Sequence, residues 1–169
     1  LVMTLDLGTK KQVFVDWSLI DPQSYISVRN GRRYMSFVTS RGCSFKCQYC
    51  YNSVTSSRWR SWSVDKVREE VEKIVKFDIS YIAFMDDNLA VNAKWLSGVC
   101  QILEEKDIMW YGDLRANMVT NENMDRFKKC TMVFIGAESG SQRVLDDIRK
   151  MIKVEDIFNA ARVLHEHGM

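Results

Sequence analysis

Four short apolar runs, each followed by a segment of helical periodicity, organise this chain. The runs lie at residues 35–40, 80–85, 108–115 and 130–135, and their β-branched and aromatic content is typical of buried strands. Strands that alternate with helices predict a parallel sheet with right-handed crossover connections. Because a complete eight-fold barrel needs about 250 residues, we expect an α/β fold with about four parallel βα units, a partial (β/α) barrel equivalent to half of a TIM-like barrel.

The segments between the runs carry apolar residues at helical spacing. Ser63 is a good N-cap for a helix that we expect to reach about residue 77, and Asn92 is a good N-cap for the next one. A short helix is expected after Asn121, another over 142–148, and the last from about Val154. The alternation of strand and helix therefore extends through the sequence from the first apolar run onward.

The residues before the first run predict a β-hairpin. Asn30 and Gly31 lie between two strand-like stretches, and both central positions of a type I′ turn need positive φ. A further short strand is expected over 12–17. We divide the chain accordingly into an N-terminal extension with the hairpin, residues 1–34, and a core, residues 35–169.

The candidate chemistry is concentrated in a loop after the first run. Three of the five cysteines, Cys43, Cys47 and Cys50, fall within eight residues with the spacing C-x3-C-x2-C, next to a glycine, Gly42, whose positive φ would let the backbone wrap closely. Thiolates bind soft metals, and a [4Fe–4S] cluster held by three of them leaves one iron open for chemistry. The alternatives are a zinc knuckle and three unrelated buried thiols.

Polar residues also mark the ends of the other three apolar runs. Asp86 and Asp87 follow the second run, Asp113 or Arg115 ends the third, and Glu138 with Ser139 follows the fourth; all of these are candidate site residues. Ligands of parallel α/β proteins bind at the carboxyl ends of the strands. We therefore expect these side chains to surround the cysteine loop.

Composition and charge remove several classes of protein. Apolar residues make up 46% and charged residues 27%, as in an ordinary globular chain. The net charge of +2 argues neither for nor against a nucleic-acid partner. No run approaches 18 apolar residues, so no membrane span is expected. No G-x-G-x-x-G follows any run, which disfavours dinucleotide binding. Five cysteines without disulfide-like spacing suit a reducing, cytoplasmic location.

These motifs resemble the radical S-adenosylmethionine superfamily. Its signature is CxxxCxxC with an aromatic residue before the last cysteine, which here is Tyr49. The segment 136–142, followed by Lys150, resembles the fourth-strand motif of the methylthiotransferase-like members. Together with an Arg-Trp-Arg-Ser loop and the segment 84–88, it resembles the subgroup that is often fused to a cobalamin-binding domain. The resemblance covers most of the catalytic core from residue 25 onward.

The resemblance implies cofactors and a reaction. The three cysteines would hold a [4Fe–4S] cluster, and its open iron would chelate the amino and carboxylate groups of S-adenosylmethionine. One electron from the cluster would cleave the sulfonium to methionine and a 5′-deoxyadenosyl radical, which abstracts hydrogen from a substrate that the sequence does not name. In the full-length protein the resemblance implies cobalamin-dependent methyl transfer or related C–H chemistry.

The resemblance also implies site residues around S-adenosylmethionine. Asp86 or Asp87 would hold the methionyl amino group, at a position where the family usually has Gly-Gly-Glu. Glu138 and Ser139 would contact the cofactor, and Lys150 would pair with its carboxylate. Tyr49 would shelter the adenine side, and Arg115 is either a further ligand or a partner of Asp113.

The resemblance further implies what the rest of the protein supplies. Relatives have six βα units, so we expect strands five and six and a cobalamin domain to lie outside this sequence and the isolated fragment to be inactive. An external donor such as flavodoxin or ferredoxin would supply the electron. The fourth strand would present an exposed edge, which favours a homodimer. The alternative function is a non-catalytic module that binds zinc or carries electrons on an iron–sulfur cluster.

Overall fold

The computed structural model describes residues 16–55 and 58–169. The short strand expected over 12–17 falls largely outside these residues, and its end belongs to a 3₁₀ turn, Trp17–Leu19. In the described part of the chain, no helix is both long and apolar enough to cross a bilayer.

The centre of the structure is a five-stranded, mostly parallel sheet with the order β1-β2-β5-β6-β7. Strand β1 is antiparallel to β2, and the three pairings that follow are parallel. A separate ribbon consists of β3 and β4. The strands are β1 Ile26–Arg29, β2 Arg32–Phe37, β3 Ser40–Arg41, β4 Arg60–Ser61, β5 Tyr81–Phe84, β6 Met109–Leu114 and β7 Cys130–Ile135. The expected α/β class with parallel strands is confirmed.

Helices connect the parallel strands. Ser63 caps α2 by accepting a hydrogen bond from the Lys66 N–H, and Asn92 caps α3 in the same way from the Trp95 N–H. Both caps agree with the prediction. The helices are α1 Asn52–Thr55, α2 Val64–Ile74, α3 Ala93–Glu105, α4 Asn121–Arg126, α5 Gln142–Asp147 and α6 Val154–Glu166. Further 3₁₀ turns are Pro22–Tyr25, Val75–Phe77, Leu89–Val91 and Ala116–Met118.

The core lies on one face of the sheet. Strand register places alternate residues of neighbouring strands side by side, and the buried set consists of Met35, Phe37, Ile82, Phe84, Trp110 and Leu114. Burial of each such side chain contributes roughly 1.5–3 kcal/mol. On the opposite face Ser36, Asp113 and Phe134 are exposed. Ala83 is buried on this second face as well, but its other described residues are exposed or partly exposed, and the polar strand ends border this more open face.

The first strand and the hairpin differ in detail from expectation. Asn30 and Gly31 have φ of 51° and 72°, so the predicted turn is confirmed. Strand β2, however, ends at Phe37 instead of continuing to residue 40. Ser40 and Arg41 pair with β4 because the Thr39 and Ser40 N–H groups donate to Asp86 and so leave the main sheet. Strand β2 also runs across the boundary between residues 34 and 35 at which we divided the chain into an extension and a core. That division stays a prediction.

Candidate metal centre

The cysteine loop begins directly after β3 and is fixed to the end of β5. Gly42 is buried with φ of 81°, a backbone conformation that favours glycine, as predicted. Its N–H donates to Asp87 Oδ2 at 2.6 Å. Further along, the Gln48 N–H donates to the Ile148 carbonyl at 2.9 Å. The loop therefore closes over the carboxyl edge of the sheet between the second and fourth parallel strands.

The three cysteines face a cavity of about 180 Å³ at this edge. Cys47 is buried, and Cys43 and Cys50 are partly exposed; all three are free thiols. Residues at the ends of β5, β6 and β7 or after them line the rest of the cavity, together with Tyr49 and Asn52. The lining comprises Cys43, Cys47, Tyr49, Cys50, Asn52, Asp87, Asn88, Asp113, Leu114, Arg115, Phe134, Gly136 and Lys150. The strand ends that the sequence marked as polar therefore do meet around the loop.

The thiols are not gathered around a single point. Within residues 16–55 and 58–169, no group of three His, Cys, Asp or Glu side chains is placed to hold one metal ion. A cubane cluster places its three thiolates on three different irons and so requires wider spacing than one ion does. Two buried polar atoms at the cavity, Asn88 Oδ1 and Arg115 Nε, also have no hydrogen-bond partner. The donor set suits a cluster in this cavity.

The two neighbouring aspartates have different positions. Asp86 is 3% exposed, does not line the cavity, and accepts bonds from Thr39 N–H, Thr39 Oγ1 and Ser40 N–H. Burial raises the pKa of Asp86 to about 6, against the lowering effect of these hydrogen bonds. Asp87 lines the cavity and binds the Gly42 N–H. The structure thus separates the pair that the sequence left ambiguous: only Asp87 faces the candidate site.

Tyr49, Glu138 and Lys150 form one hydrogen-bonded cluster. Lys150 Nζ donates to Glu138 Oε1 at 2.8 Å and to Tyr49 Oη at 2.9 Å, and the Tyr49 hydroxyl donates to Glu138 Oε1 at 2.8 Å. The Lys150 ammonium holds the pKa of Glu138 below its usual range. Burial, followed by the bond to Glu138, raises the pKa of Tyr49. These three predicted site residues, separated by up to 101 positions, therefore share one end of the cavity.

Arg115 and Ser139 are placed differently from these three. Arg115 is buried; its guanidinium lies 3.6 Å over the Phe45 ring and donates to the Lys150 and Met151 carbonyls. It makes no ion pair with Asp113 among the described residues, although Asp113 was its expected alternative partner. Ser139 is partly exposed and its Oγ accepts from the Ser141 N–H, outside the cavity lining. Arg115 therefore braces the loop, and Ser139 shapes the turn after Glu138.

Sequence reasoning did not select several residues of the cavity wall. Asn88 lies in the motif that contains Asp86 and Asp87, and its place one residue further on was a usable signal. Phe45 lies inside the cysteine loop and outside the cavity lining, and nothing in the sequence indicates that it stacks on Arg115, which does line the cavity. Asn52 and Phe134 line the cavity too, at the start of α1 and on the open face of β7.

Comparison with known proteins identifies the family of this arrangement. A family model described as the radical SAM superfamily matches residues 37–169. The chain is 31% identical over 138 residues to an uncharacterized methyltransferase of Pyrococcus horikoshii, and the aligned region covers 78% of this chain and 30% of that protein. It is 23% identical over 167 residues to the anaerobic magnesium-protoporphyrin IX monomethyl ester cyclase of Rubrivivax gelatinosus, and that aligned region covers 91% of this chain and 29% of the cyclase.

A solved structure shares the fold. The radical S-adenosylmethionine methyltransferase TsrM from Kitasatospora setae, with cobalamin and a [4Fe–4S] cluster bound, has a TM-score of 0.65 and 16% identity. The match covers 79% of this chain and 27% of that one. The chain spans about three tenths of the length of the curated relatives it matches. Because the family model covers most of the sequence, the predicted resemblance is confirmed, and the chain belongs to the radical S-adenosylmethionine superfamily.

Proposed function

We propose that Cys43, Cys47 and Cys50 hold the [4Fe–4S] cluster of a radical S-adenosylmethionine enzyme. The observation that carries the proposal is the cavity at the carboxyl edge of the parallel sheet, which all three thiols line. When bound there, the cluster supplies the electron that cleaves S-adenosylmethionine to methionine and a 5′-deoxyadenosyl radical. The family's cofactors are this cluster and S-adenosylmethionine, and family membership disfavours the zinc or electron-carrier alternative.

The polar residues of the cavity are the proposed contacts of S-adenosylmethionine. Asp87 offers a carboxylate for the amino group, and Lys150 an ammonium for the carboxylate. Tyr49 and Glu138 orient Lys150 through the hydrogen bonds that connect the three. Ser139 contributes through the turn that positions Glu138. Asp86 acts from behind the cavity wall by fixing the backbone that precedes the cysteine loop. Arg115 lines the cavity and holds the loop through its stacking on Phe45 and its bonds to the carbonyls of Lys150 and Met151.

For the full-length protein we propose cobalamin-dependent methyl transfer or related C–H chemistry. The support is that a methyltransferase is among the relatives and that TsrM is a methyltransferase with cobalamin bound. The parallel βα units of this chain would then be part of a (β/α) barrel, continued by strands outside the present sequence. We expect the 169-residue chain by itself to bind its cluster but to turn over no substrate.

The proposed surroundings follow from the same chemistry. Members of this superfamily take their electron from an external reductant, and flavodoxin or ferredoxin is the donor class we propose. The five cysteines are all free thiols, which agrees with the reducing cytoplasm as the proposed location. A homodimer through the sheet edge is the proposed association of this chain.

Anaerobic reconstitution with iron and sulfide tests the proposal. We expect about four irons per chain, an EPR signal that changes on addition of S-adenosylmethionine, and loss of the iron in Cys47→Ala. Cys130→Ala is the matched control, since Cys130 lies outside the cavity lining and should retain the iron. One zinc per chain without iron or sulfide, or full iron content in Cys47→Ala, would refute the ligand assignment. Formation of 5′-deoxyadenosine by the full-length protein tests the reaction.

A further inference from the structure

Two buried side chains aim N–H groups at the sulfurs of the cysteine loop. Asn88, 3% exposed, places its Nδ2 3.7 Å from Cys43 Sγ. Arg115, 7% exposed, places its Nη1 3.6 Å from Cys47 Sγ. Both separations suit an N–H···S hydrogen bond, which is longer than one to oxygen because sulfur is larger. No side-chain donor in the described part of the chain reaches Cys50 Sγ.

The Arg115 side chain is held in this orientation. Its Nη2 donates to the Lys150 carbonyl and, at 3.5 Å, to the Met151 carbonyl, and the guanidinium stacks 3.6 Å above the Phe45 ring. Phe45 lies between Cys43 and Cys47 in the sequence, so the ring and the sulfur bind the same guanidinium from one loop. An arginine fixed by its carbonyl partners and by stacking loses little freedom when it also donates to sulfur.

The orientation of Asn88 has a similar explanation. Asn88 follows Asp86 and Asp87, and these two carboxylates bind backbone N–H groups on either side of Arg41, at Ser40 and Gly42. That attachment brings the end of β5 against the loop and leaves the amide of Asn88 beside Cys43. The Asn88 Oδ1 atom is buried and has no hydrogen-bond partner. The hydrogen bond of this side-chain amide is therefore the one that its N–H group donates to Cys43.

Hydrogen bonds to a cluster's sulfur ligands change its reduction potential. A donor withdraws negative charge from the thiolate and stabilises the reduced cluster, which is the more negative form. Both donors lie in a water-poor environment, where such effects are strong, and Arg115 adds a full positive charge. We infer that Asn88 and Arg115 are positioning residues that donate to the Cys43 and Cys47 thiolates and raise the reduction potential of the cluster. This inference rests on the proposed function, because it takes these cysteines as cluster ligands.

The test is a spectroelectrochemical titration of the reconstituted full-length protein in the absence of S-adenosylmethionine. Asn88→Leu and Arg115→Met should each lower the midpoint potential of the cluster by up to about 59 mV. For a one-electron couple this is a change of about tenfold in the equilibrium constant for reduction. Arg115→Lys keeps the charge, so its midpoint potential should lie between that of Arg115→Met and that of the wild type. Asn117→Leu is the matched control, since Asn117 is exposed and lies outside the cavity lining, and its midpoint should equal that of the wild type.

Iron content distinguishes failure of the inference from failure of the proposed function. Wild-type protein without a cluster refutes both. A wild-type cluster together with unchanged midpoints in Asn88→Leu and Arg115→Met, each holding four irons, refutes the inference alone. If Asn88→Leu or Arg115→Met loses the cluster, Asn88→Asp and Arg115→Lys are measured in their place. Asn88→Asp puts a negative charge beside Cys43, so it should lower the midpoint potential more than Arg115→Lys does. An equal midpoint for Asn88→Asp and the wild type overturns the inference.

Discussion

Glu138 has left-handed backbone, with φ of 61°, in the turn after β7. A residue with a Cβ atom loses roughly 1–2 kcal/mol in this conformation relative to the ordinary one. The bonds of its carboxylate to Lys150 and Tyr49 offset that cost and also fix where the carboxylate lies. Strain at a residue that lies beside the cavity supports the proposal that Glu138 has a role in the site.

Gly136 is next to this pair, and its substitution gives a prediction at the scale of one residue. A Cβ atom at 136 would lie 2.4 Å from Glu138 Oε1 and 2.8 Å from Lys150 Nζ. Both atoms are ends of flexible side chains, so Gly136→Ala should leave thermal stability nearly unchanged while it displaces the pair. We expect the affinity of the reconstituted protein for S-adenosylmethionine, measured by calorimetry, to fall about tenfold, which is about 1.4 kcal/mol.

The control for this prediction lies in the same turn. A Cβ atom at Gly140 would meet nothing within 4 Å, so Gly140→Ala should bind S-adenosylmethionine as the wild type does. Equal affinities for Gly136→Ala and Gly140→Ala would show that the positions of Glu138 and Lys150 do not matter for binding.

The candidate cluster ligands could be predicted from the sequence, because their spacing along the chain is itself the signal. Cys43, Cys47 and Cys50 are close in sequence, and the structure brings them to one cavity as expected. The contacts of Asn88 with Cys43 and of Arg115 with Cys47 join residues 45 and 68 positions apart. Such contacts depend on how far each strand end projects over the sheet, which periodicity does not report.

At the scale of elements, Asp86 connects the ends of two neighbouring strands. It follows β5, and its carboxylate accepts from Thr39 and Ser40, which follow β2. The sequence predicted both strands and the polar residues after them, and helix caps at Ser63 and Asn92 were predicted correctly because capping is local. It did not predict that β2 ends at Phe37, since that end depends on a carboxylate 46 or 47 residues away.

Removing this connection should destabilise the fold and release the cysteine loop. Asp86→Ala leaves the Thr39 N–H, the Thr39 hydroxyl and the Ser40 N–H without their buried acceptor, so we expect a loss of about 2 kcal/mol or more in the free energy of unfolding. Urea denaturation measures it. Asp147→Ala removes an exposed carboxylate and should change stability by less than about 0.5 kcal/mol. A similar small effect for Asp86→Ala would contradict the role given to this carboxylate.

The same carboxylate predicts a pH dependence. Burial raises the pKa of Asp86 to about 6 in the folded state, above the 3.8 of an ordinary aspartate. The folded state therefore binds this proton more tightly, and the associated stability is fully present below pH 3.8 and lost as the pH rises to about 6. Asp86→Asn keeps one acceptor oxygen and cannot ionise. The stability of the wild type relative to Asp86→Asn should fall between pH 4 and 6 and be level above that; a constant difference across this range would refute the shift.

At the scale of the whole molecule, the two edges of the main sheet differ in charge. Strand β1 carries Arg29 opposite Arg32, and charged side chains protect an edge from pairing with another chain. Strand β7, at the other edge of the sheet that the structure describes, has the sequence Cys-Thr-Met-Val-Phe-Ile with no charged residue. Met132 and Phe134 on it are 36% and 50% exposed. The open β7 edge is therefore the part of the sheet best suited to pair with a second copy of the chain.

This asymmetry makes the proposed homodimer of the 169-residue chain testable. We expect the mass measured by sedimentation velocity to rise with concentration toward twice the monomer mass of 19.7 kDa. Met132→Lys places a charge on the β7 edge and should shift the equilibrium toward monomer by about tenfold or more in Kd, since antiparallel pairing of two copies would bring the lysines together. Val28→Lys adds the same charge to the already basic β1 edge, at an exposed position, and should leave the dimer unchanged. A monomeric mass at every concentration would contradict the dimer, and equal weakening by both variants would show that association does not depend on β7.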